Sequence, residues 1–156
     1  MKGKGNNIFQ PEECVKRAEV AQVIFNMYGS NASVKNISYF SDVEMDEWYT
    51  NSINWCVSRR IINGFPDGTF KPEDFVTRED VLHLLYKSTS HETLLNYESL
   101  ENFNDYNSIS EYAKEAVTWS VSKGVVLGDD LNNINPGKYL TRAEFAAILS
   151  RVCSIQ

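Results

Sequence analysis

The sequence predicts an all-α fold built from repeats of one helix-loop-helix unit, and three observations carry that expectation. A shift of 64 places lays Trp55, Val57, Gly64, Pro72, Thr77, Arg78 and Leu85 on Trp119, Val121, Gly128, Pro136, Thr141, Arg142 and Leu149 without a gap. A shift of 61 lays Gly3, Phe9, Pro11, Val15 and Arg17 on Gly64, Phe70, Pro72, Val76 and Arg78, so the sequence opens inside a unit. Within each unit apolar residues recur at three- to five-residue spacing, the mark of one buried helix face. A single helical hairpin cannot bury such a face alone, so the units must pack on each other. With two and a half copies, a closed pseudo-threefold cluster is expected rather than an open solenoid.

The elements follow in chain order. Residues 1–30 form the second half of repeat one, which lacks its first helix; repeat two covers 39–90 and repeat three 102–156, all in a single domain. Main helices are expected at 17–27, 48–60, 78–87, 112–123 and 142–153, with no β-sheet beyond isolated bridges. The second helix of each unit starts at a cap. Thr141-Arg142-Ala143-Glu144 fits the S/T-x-x-E capping box, Thr77-Arg78-Glu79-Asp80 is a version with a shorter acid, and Lys16-Arg17-Ala18-Glu19 has Lys at the cap. Between the two helices of repeat two, residues 64–72 read as turn chemistry, with Pro66-Asp67-Gly68 at the centre and Gly64 expected as a left-handed helix terminator. Polar linkers lie at 28–39 and 88–102, the second with a short helical turn around 94–100. Because repeat one opens at its loop, the apolar face of Val20, Val23, Ile24 and Met27 is expected to lack part of its cover, and a longer chain or self-association would then supply it.

Composition narrows the function. With 156 residues, 42% of them hydrophobic and 23% charged, the chain has enough apolar content for one globular core. The formal charge of −6 opposes a nucleic-acid partner, which needs clustered Lys and Arg to displace counterions. No apolar run approaches the ~20 residues that span a bilayer, so no membrane insertion is expected. Met1 to Gly5 carries charge without an apolar stretch, so no signal peptide is read there. Cys14, Cys56 and Cys153 are widely spaced and suit small buried hydrophobes better than a metal or disulfide framework. His83 and His91 have no metal-ligand spacing, and no cofactor is expected.

Phe40-Ser41-Asp42-Val43 followed by Trp48, the stretch Gly64-Phe65-Pro66-Asp67-Gly68-Thr69-Phe70-Lys71-Pro72, and the three caps at Arg17, Arg78 and Arg142 together resemble the S-layer homology repeat. The resemblance covers nearly the whole chain. It implies an extracellular location in the cell wall or S-layer, and noncatalytic attachment to peptidoglycan-linked secondary cell-wall polysaccharide, often pyruvylated, through grooves between repeats. It also implies that the cap arginines and the Gly-rich loop bind the ligand. Lys16 at the first cap and the third loop, Gly128-Asp129-Asp130-Leu131-Asn132-Asn133-Ile134-Asn135-Pro136, depart from the pattern.

The arginines have a physical reading of their own. An Arg in the first helical turn faces the positive end of the macrodipole, at a cost of roughly 0.3–1 kcal/mol. An anion held jointly by the guanidinium and the helix's unpaired N–H groups would offset that cost. The alternative is that each Arg pairs with a neighbouring carboxylate and ties loop to helix. Arg17, Arg78 and Arg142, with Gly64, Asp67 and Gly68 of the loop and Trp48 and Tyr112 as groove-edge aromatics, are therefore the candidate binding residues. Arg78 is expected to contribute most, because its own repeat keeps both helices and the full turn. Competing functions are a degenerate scaffold for protein contacts, or an accessory part of a cell-wall or polysaccharide-degrading enzyme. Asp42, Asp46, Glu79, Asp80 and Glu144 supply carboxylates, but each has an ordinary role as cap, turn or surface charge, and no catalytic set is read.

Overall fold

The computed structural model describes residues 8–29, 31–32, 37–89 and 100–155. Among the described residues five α-helices form: α1 (Arg17–Tyr28), α2 (Thr50–Ser58), α3 (Arg78–Ser88), α4 (Lys114–Ser122) and α5 (Arg142–Ser154). Each expected helix is present, the first helix of repeat two starting two residues late and that of repeat three opening with a 3₁₀ turn, Glu111–Ala113. Among the described residues there is no strand, only the isolated bridges Cys14 to Thr141, Lys16 to Phe75 and Thr77 to Tyr139. Most of the helical turn expected at 94–100 lies outside the described residues.

The caps form as their residue types require. Thr77 and Thr141 accept from Asp80 N–H and Glu144 N–H, and those acids accept in return from the Thr backbone. Lys16 has no acceptor to offer N3. Only the reverse bond is made there, from Lys16 N–H to Glu19 at 3.0 Å. Gly64 is not the left-handed terminator. That conformation falls on Arg60 (φ 57°) and its repeat counterpart Gly124 (φ 68°). What Gly64 supplies is room, since a Cβ there would lie 2.0 Å from the Phe40 ring.

The chain divides into two compact units, Lys16–Phe75 and Met1–Val15 with Val76–Gln156. In the first, α1 packs along α2: Ala18, Val20, Ala21 and Ile24 are fully buried with Ile53 and Cys56, and Phe25 meets Trp55 edge-on at 5.7 Å. In the second, α3 packs along α4, where Tyr86 meets Trp119 at 5.7 Å and its hydroxyl donates to Glu115 at 2.6 Å. Each pair thus joins the second helix of one repeat to the first helix of the next. The expectation that α1 lacks cover is overturned for this reason: its partner comes from repeat two, not from its own. Cys56 is buried, and burial pushes its thiol up to about 12. Cys153 is exposed and Cys14 half-buried, so the reading of all three as core hydrophobes holds for Cys56 alone.

Three buried residues, one just before each cap, close a ring of backbone hydrogen bonds. Val15 N–H donates to Leu140 (2.9 Å), Leu140 N–H to Val76 (3.1 Å) and Val76 N–H to Val15 (3.1 Å).

Candidate functional site

Every cap meets the loop of another repeat. Arg17 and Ala18 N–H donate to Asp74 and Pro72 carbonyls; Arg78 and Glu79 N–H to Lys138 and Pro136; Arg142 and Ala143 N–H to Glu13 and Pro11. The first two N–H groups of each helix are therefore occupied by protein. The joint anion site of guanidinium and bare helix N–H groups is corrected accordingly: the arginine side chain and the loop remain, but these backbone donors do not contribute.

The loop of repeat two is held from behind. Both oxygens of Asp42 accept from it, Phe70 N–H at 2.8 Å and Lys71 N–H at 2.7 Å, and Asp105 does the same for Ile134 and Asn135. Asp67 accepts from Thr69 hydroxyl (2.6 Å) and N–H (3.0 Å), which together hold its carboxyl below the usual carboxylate range. Asp67 thus shapes the turn. Gly68, at φ +81°, has nothing within 4 Å of where a Cβ would stand, so the tip of the turn is open to an approaching ligand.

Arg17, not Arg78, stands beside this intact loop. Its Nε donates to Phe70 O at 3.0 Å and Nη2 to Asn63 O at 3.3 Å, with the guanidinium 4.9 Å from the Phe65 ring and 4.8 Å from the Phe70 ring. Lys71 Nζ lies 4.4 Å from the same Phe65 ring. Phe65 is 38% exposed, so two cations meet on an accessible aromatic ring. Lys16 pairs with Glu73 next to it.

The other two junctions differ. Arg142 is buried, with Nε donating to Phe9 O at 3.0 Å and its guanidinium 5.3 Å from the Phe9 ring. Arg78 faces the third loop, where Asp129, Asp130 and Ile134 replace Phe65, Pro66 and Phe70. Its Nη1 reaches Glu144 at 3.4 Å, and its buried Nε has no acceptor among the described residues. The ranking that put Arg78 first assumed that a cap works with its own repeat's loop, and the structure pairs it with the next one.

Trp48 and Tyr112 are exposed at 57% and 52%. Trp48 stacks edge-on against Tyr49, and Tyr112 donates to Asp80 at 2.7 Å while meeting His83 edge-on. The sequence alone does not single out Phe65 and Lys71, although both lie inside the turn motif; Arg17, brought from repeat one, gathers them into one cluster. Among the described residues no group of three His, Cys, Asp or Glu could hold a metal ion, and no helix is long and apolar enough to cross a membrane.

The family model described as the S-layer homology domain matches residues 39–82 and 102–146, together more than half of the chain. The chain belongs to the S-layer homology domain family. The two matched stretches start at the segments holding Asp42 and Asp105 and end inside α3 and α5, so they take in both complete repeats. Among curated relatives, "Exoglucanase XynX" of Acetivibrio thermocellus is 32% identical over 154 residues, covering 96% of this chain and 14% of that protein. "Amylopullulanase" of Thermoanaerobacterium thermosulfurigenes is 32% identical, covering 96% and 8%. "Cellulosome-anchoring protein" of Acetivibrio thermocellus is 27% identical, covering 97% and 34%. The S-layer homology chain thus spans between 8% and 34% of these relatives' length.

Proposed function

We propose that this chain is a noncatalytic cell-surface anchoring module, working outside the cell in the wall or S-layer. It holds a secondary cell-wall polysaccharide carrying carboxylates of the pyruvyl ketal kind. The observation that carries the reading is the convergence of the Arg17 guanidinium and the Lys71 ammonium on the Phe65 ring, 4.9 and 4.4 Å from its centre, beside an open turn. The ring holds the two cations together by cation–π contact, and their charges can pair jointly with a sugar's carboxylate at the exposed rim of the loop. The overall charge of −6 makes such a local pair of cations a means of selecting the anionic sugar at close range.

The relatives support anchoring over catalysis. Two are named as polysaccharide-degrading enzymes and one as an anchoring protein, yet the same length of chain is shared by all three. A segment common to proteins of such different names suits attachment better than any one reaction. For the junction at Arg78 a second reading has some support: Leu127 and Leu131, exposed at 67% and 73%, replace Asn63 and Asp67 of the intact loop. That edge suits a protein contact.

Binding to purified cell-wall sacculi before and after removal of the polysaccharide tests the function. Calorimetry with a pyruvylated cell-wall disaccharide tests the site: Lys71→Gln and Arg17→Lys should each bind roughly ten- to a hundredfold more weakly, as loss of a charge-assisted hydrogen bond worth ~1.5–3 kcal/mol implies. Undiminished affinity in both variants would move the site elsewhere.

A further inference from the structure

The loop of repeat two contains a chemically labile dipeptide that its counterparts lack. Asn63-Gly64 is the one Asn-Gly pair in the sequence, and the two repeat shifts put Lys2-Gly3 and Leu127-Gly128 at the same place. An asparagine side-chain amide is open to attack by the backbone nitrogen of the next residue, and a glycine there puts no side chain in the way. The fold keeps both reacting groups available. Asn63 is exposed, and among the described residues its side chain makes no hydrogen bond and the Gly64 N–H donates to no acceptor. Nor can the glycine be exchanged, since a Cβ at Gly64 would lie 2.0 Å from the Phe40 ring.

Asp67-Gly68, in the same turn, offers related chemistry and is closed to it. Gly68 N–H donates to Phe65 O at 3.0 Å, and the Asp67 carboxylate accepts from the Thr69 hydroxyl and N–H. Nucleophile and electrophile are both engaged there, and the negative charge of a carboxylate itself resists attack.

We propose that Asn63 is a self-modification site, and that its conversion to isoaspartate ties up Arg17 from within the loop. The Gly64 nitrogen gives its proton to solvent and bonds to Asn63 Cγ; the Cγ–Nδ2 bond breaks and ammonia leaves, closing a succinimide ring. Water then adds to either ring carbonyl and breaks that carbon's bond to the Gly64 nitrogen. Opening at Cγ leaves aspartate. Opening at the backbone carbonyl leaves isoaspartate, in which the chain runs through Cγ and the former backbone carbonyl is a free carboxylate. Overall an amide and a water become a carboxylate and an ammonium ion, with no oxidant or reductant involved.

The partner of that carbonyl gives the reaction its consequence. Asn63 O accepts from Arg17 Nη2 at 3.3 Å, while Arg17 Nε is held by Phe70 O at 3.0 Å, so the guanidinium stands at the oxygen that becomes ionised. A neutral acceptor is exchanged for an anionic one, whose hydrogen bond is roughly twice as strong. Lys71, on the same Phe65 ring, gains a negative neighbour as well. The outcome for binding rests on the reading of Arg17 and Lys71 as the cations that hold an anionic sugar: the modified loop then competes with the ligand for its own cation, and the module loosens with age in one direction only.

The test ages the full chain at neutral and mildly alkaline pH. Tandem mass spectrometry locates the converted residue and separates aspartate from isoaspartate, and the Arg17 Nε resonance reports the guanidinium's partner. Asn63 should convert faster than any other asparagine and faster at higher pH, with Asp67 unchanged and the Arg17 signal shifting in proportion to isoaspartate. Asn63→Gln, whose longer side chain closes the ring far more slowly, should keep helical content and hold the Arg17 signal steady, which avoids reliance on a Gly64 variant that fails to fold. Aged wild type should bind the pyruvylated disaccharide roughly tenfold more weakly than fresh, and aged Asn63→Gln as well as fresh. Conversion at Asn63 no faster than at the other asparagines, or isoaspartate formed with the Arg17 resonance unmoved, overturns the proposal. A fresh chain that does not bind the disaccharide overturns the sugar site instead, and the mass and resonance measurements still decide the modification.

Discussion

At the scale of single residues, the loop of repeat two depends on one carboxylate and one absent side chain. Asp42 accepts two backbone N–H bonds, and its removal leaves part-buried donors unpaired, a loss of ~1–3 kcal/mol per group. Asp42→Ala should accordingly lower the unfolding free energy by about 2–3 kcal/mol in urea titration, whereas Asp67→Ala, at an exposed turn, should change it far less. Gly64→Ala drives a methyl into the Phe40 ring and should cost about 1–3 kcal/mol, the usual range for overpacking. Acid sensitivity also has a residue-level source at Glu144. Burial alone would raise its carboxyl, but the Thr141 N–H, the Lys138 ammonium and the Arg78 guanidinium outweigh that and hold it below the ordinary range. A carboxyl with a lowered folded-state pKa contributes stability above its unfolded pKa and loses it as pH falls through the folded value. Wild type should therefore melt higher than Glu144→Gln at pH 7, with the gap closing below about pH 4, near the unperturbed Glu value. A gap independent of pH would show that the pairing with Lys138 and Arg78 is not its origin.

At the scale of elements, the caps rank by chemistry that is plain in the residues. Thr77→Ala and Thr141→Ala should each cost ~1 kcal/mol, the usual worth of an N-cap hydroxyl. Lys16→Ala removes no cap acceptor and only an exposed pair with Glu73, so it should stay within about 1 kcal/mol of wild type. Parity of the three in thermal unfolding would contradict the cap assignment. Helix positions were legible because the spacing of apolar residues, a first-turn acid and a cap hydroxyl are local features. Helix partners were not. α2 and α3 belong to one repeat, yet the loop between them is fastened to Asp42 and its chain neighbours and delivers α3 to a different unit.

At the scale of the whole chain, the ring through Val15, Val76 and Leu140 ties together residues more than a hundred positions apart. Its amides are buried and their partners lie on other repeats, so they can open only when the repeats part. Hydrogen exchange at these three positions should match the global unfolding free energy, while N–H groups at helix ends exchange faster by local fraying. Exchange of the ring amides at the helix-end rate would show that the repeats separate without unfolding.

By itself the sequence determined what local chemistry fixes: the all-helical class, the five helices, the two Thr caps, the turn at Gly68 and the family resemblance that its motifs carry. Only the tertiary structure decided which helix lies on which, and with it which arginine stands beside which loop. Sequence order suggested that Arg78 serves the Pro66-Asp67-Gly68 turn of its own repeat, but the caps donate to the loop of another repeat, and that turn falls beside Arg17. The physical reason is that a repeated motif offers the same apolar faces, caps and loops in every copy. Local preferences are equally satisfied by pairing within a repeat or between repeats. The choice is made by the long-range hydrogen bonds and the burial of Trp55 and Trp119 against the cap helices, which no window of sequence contains.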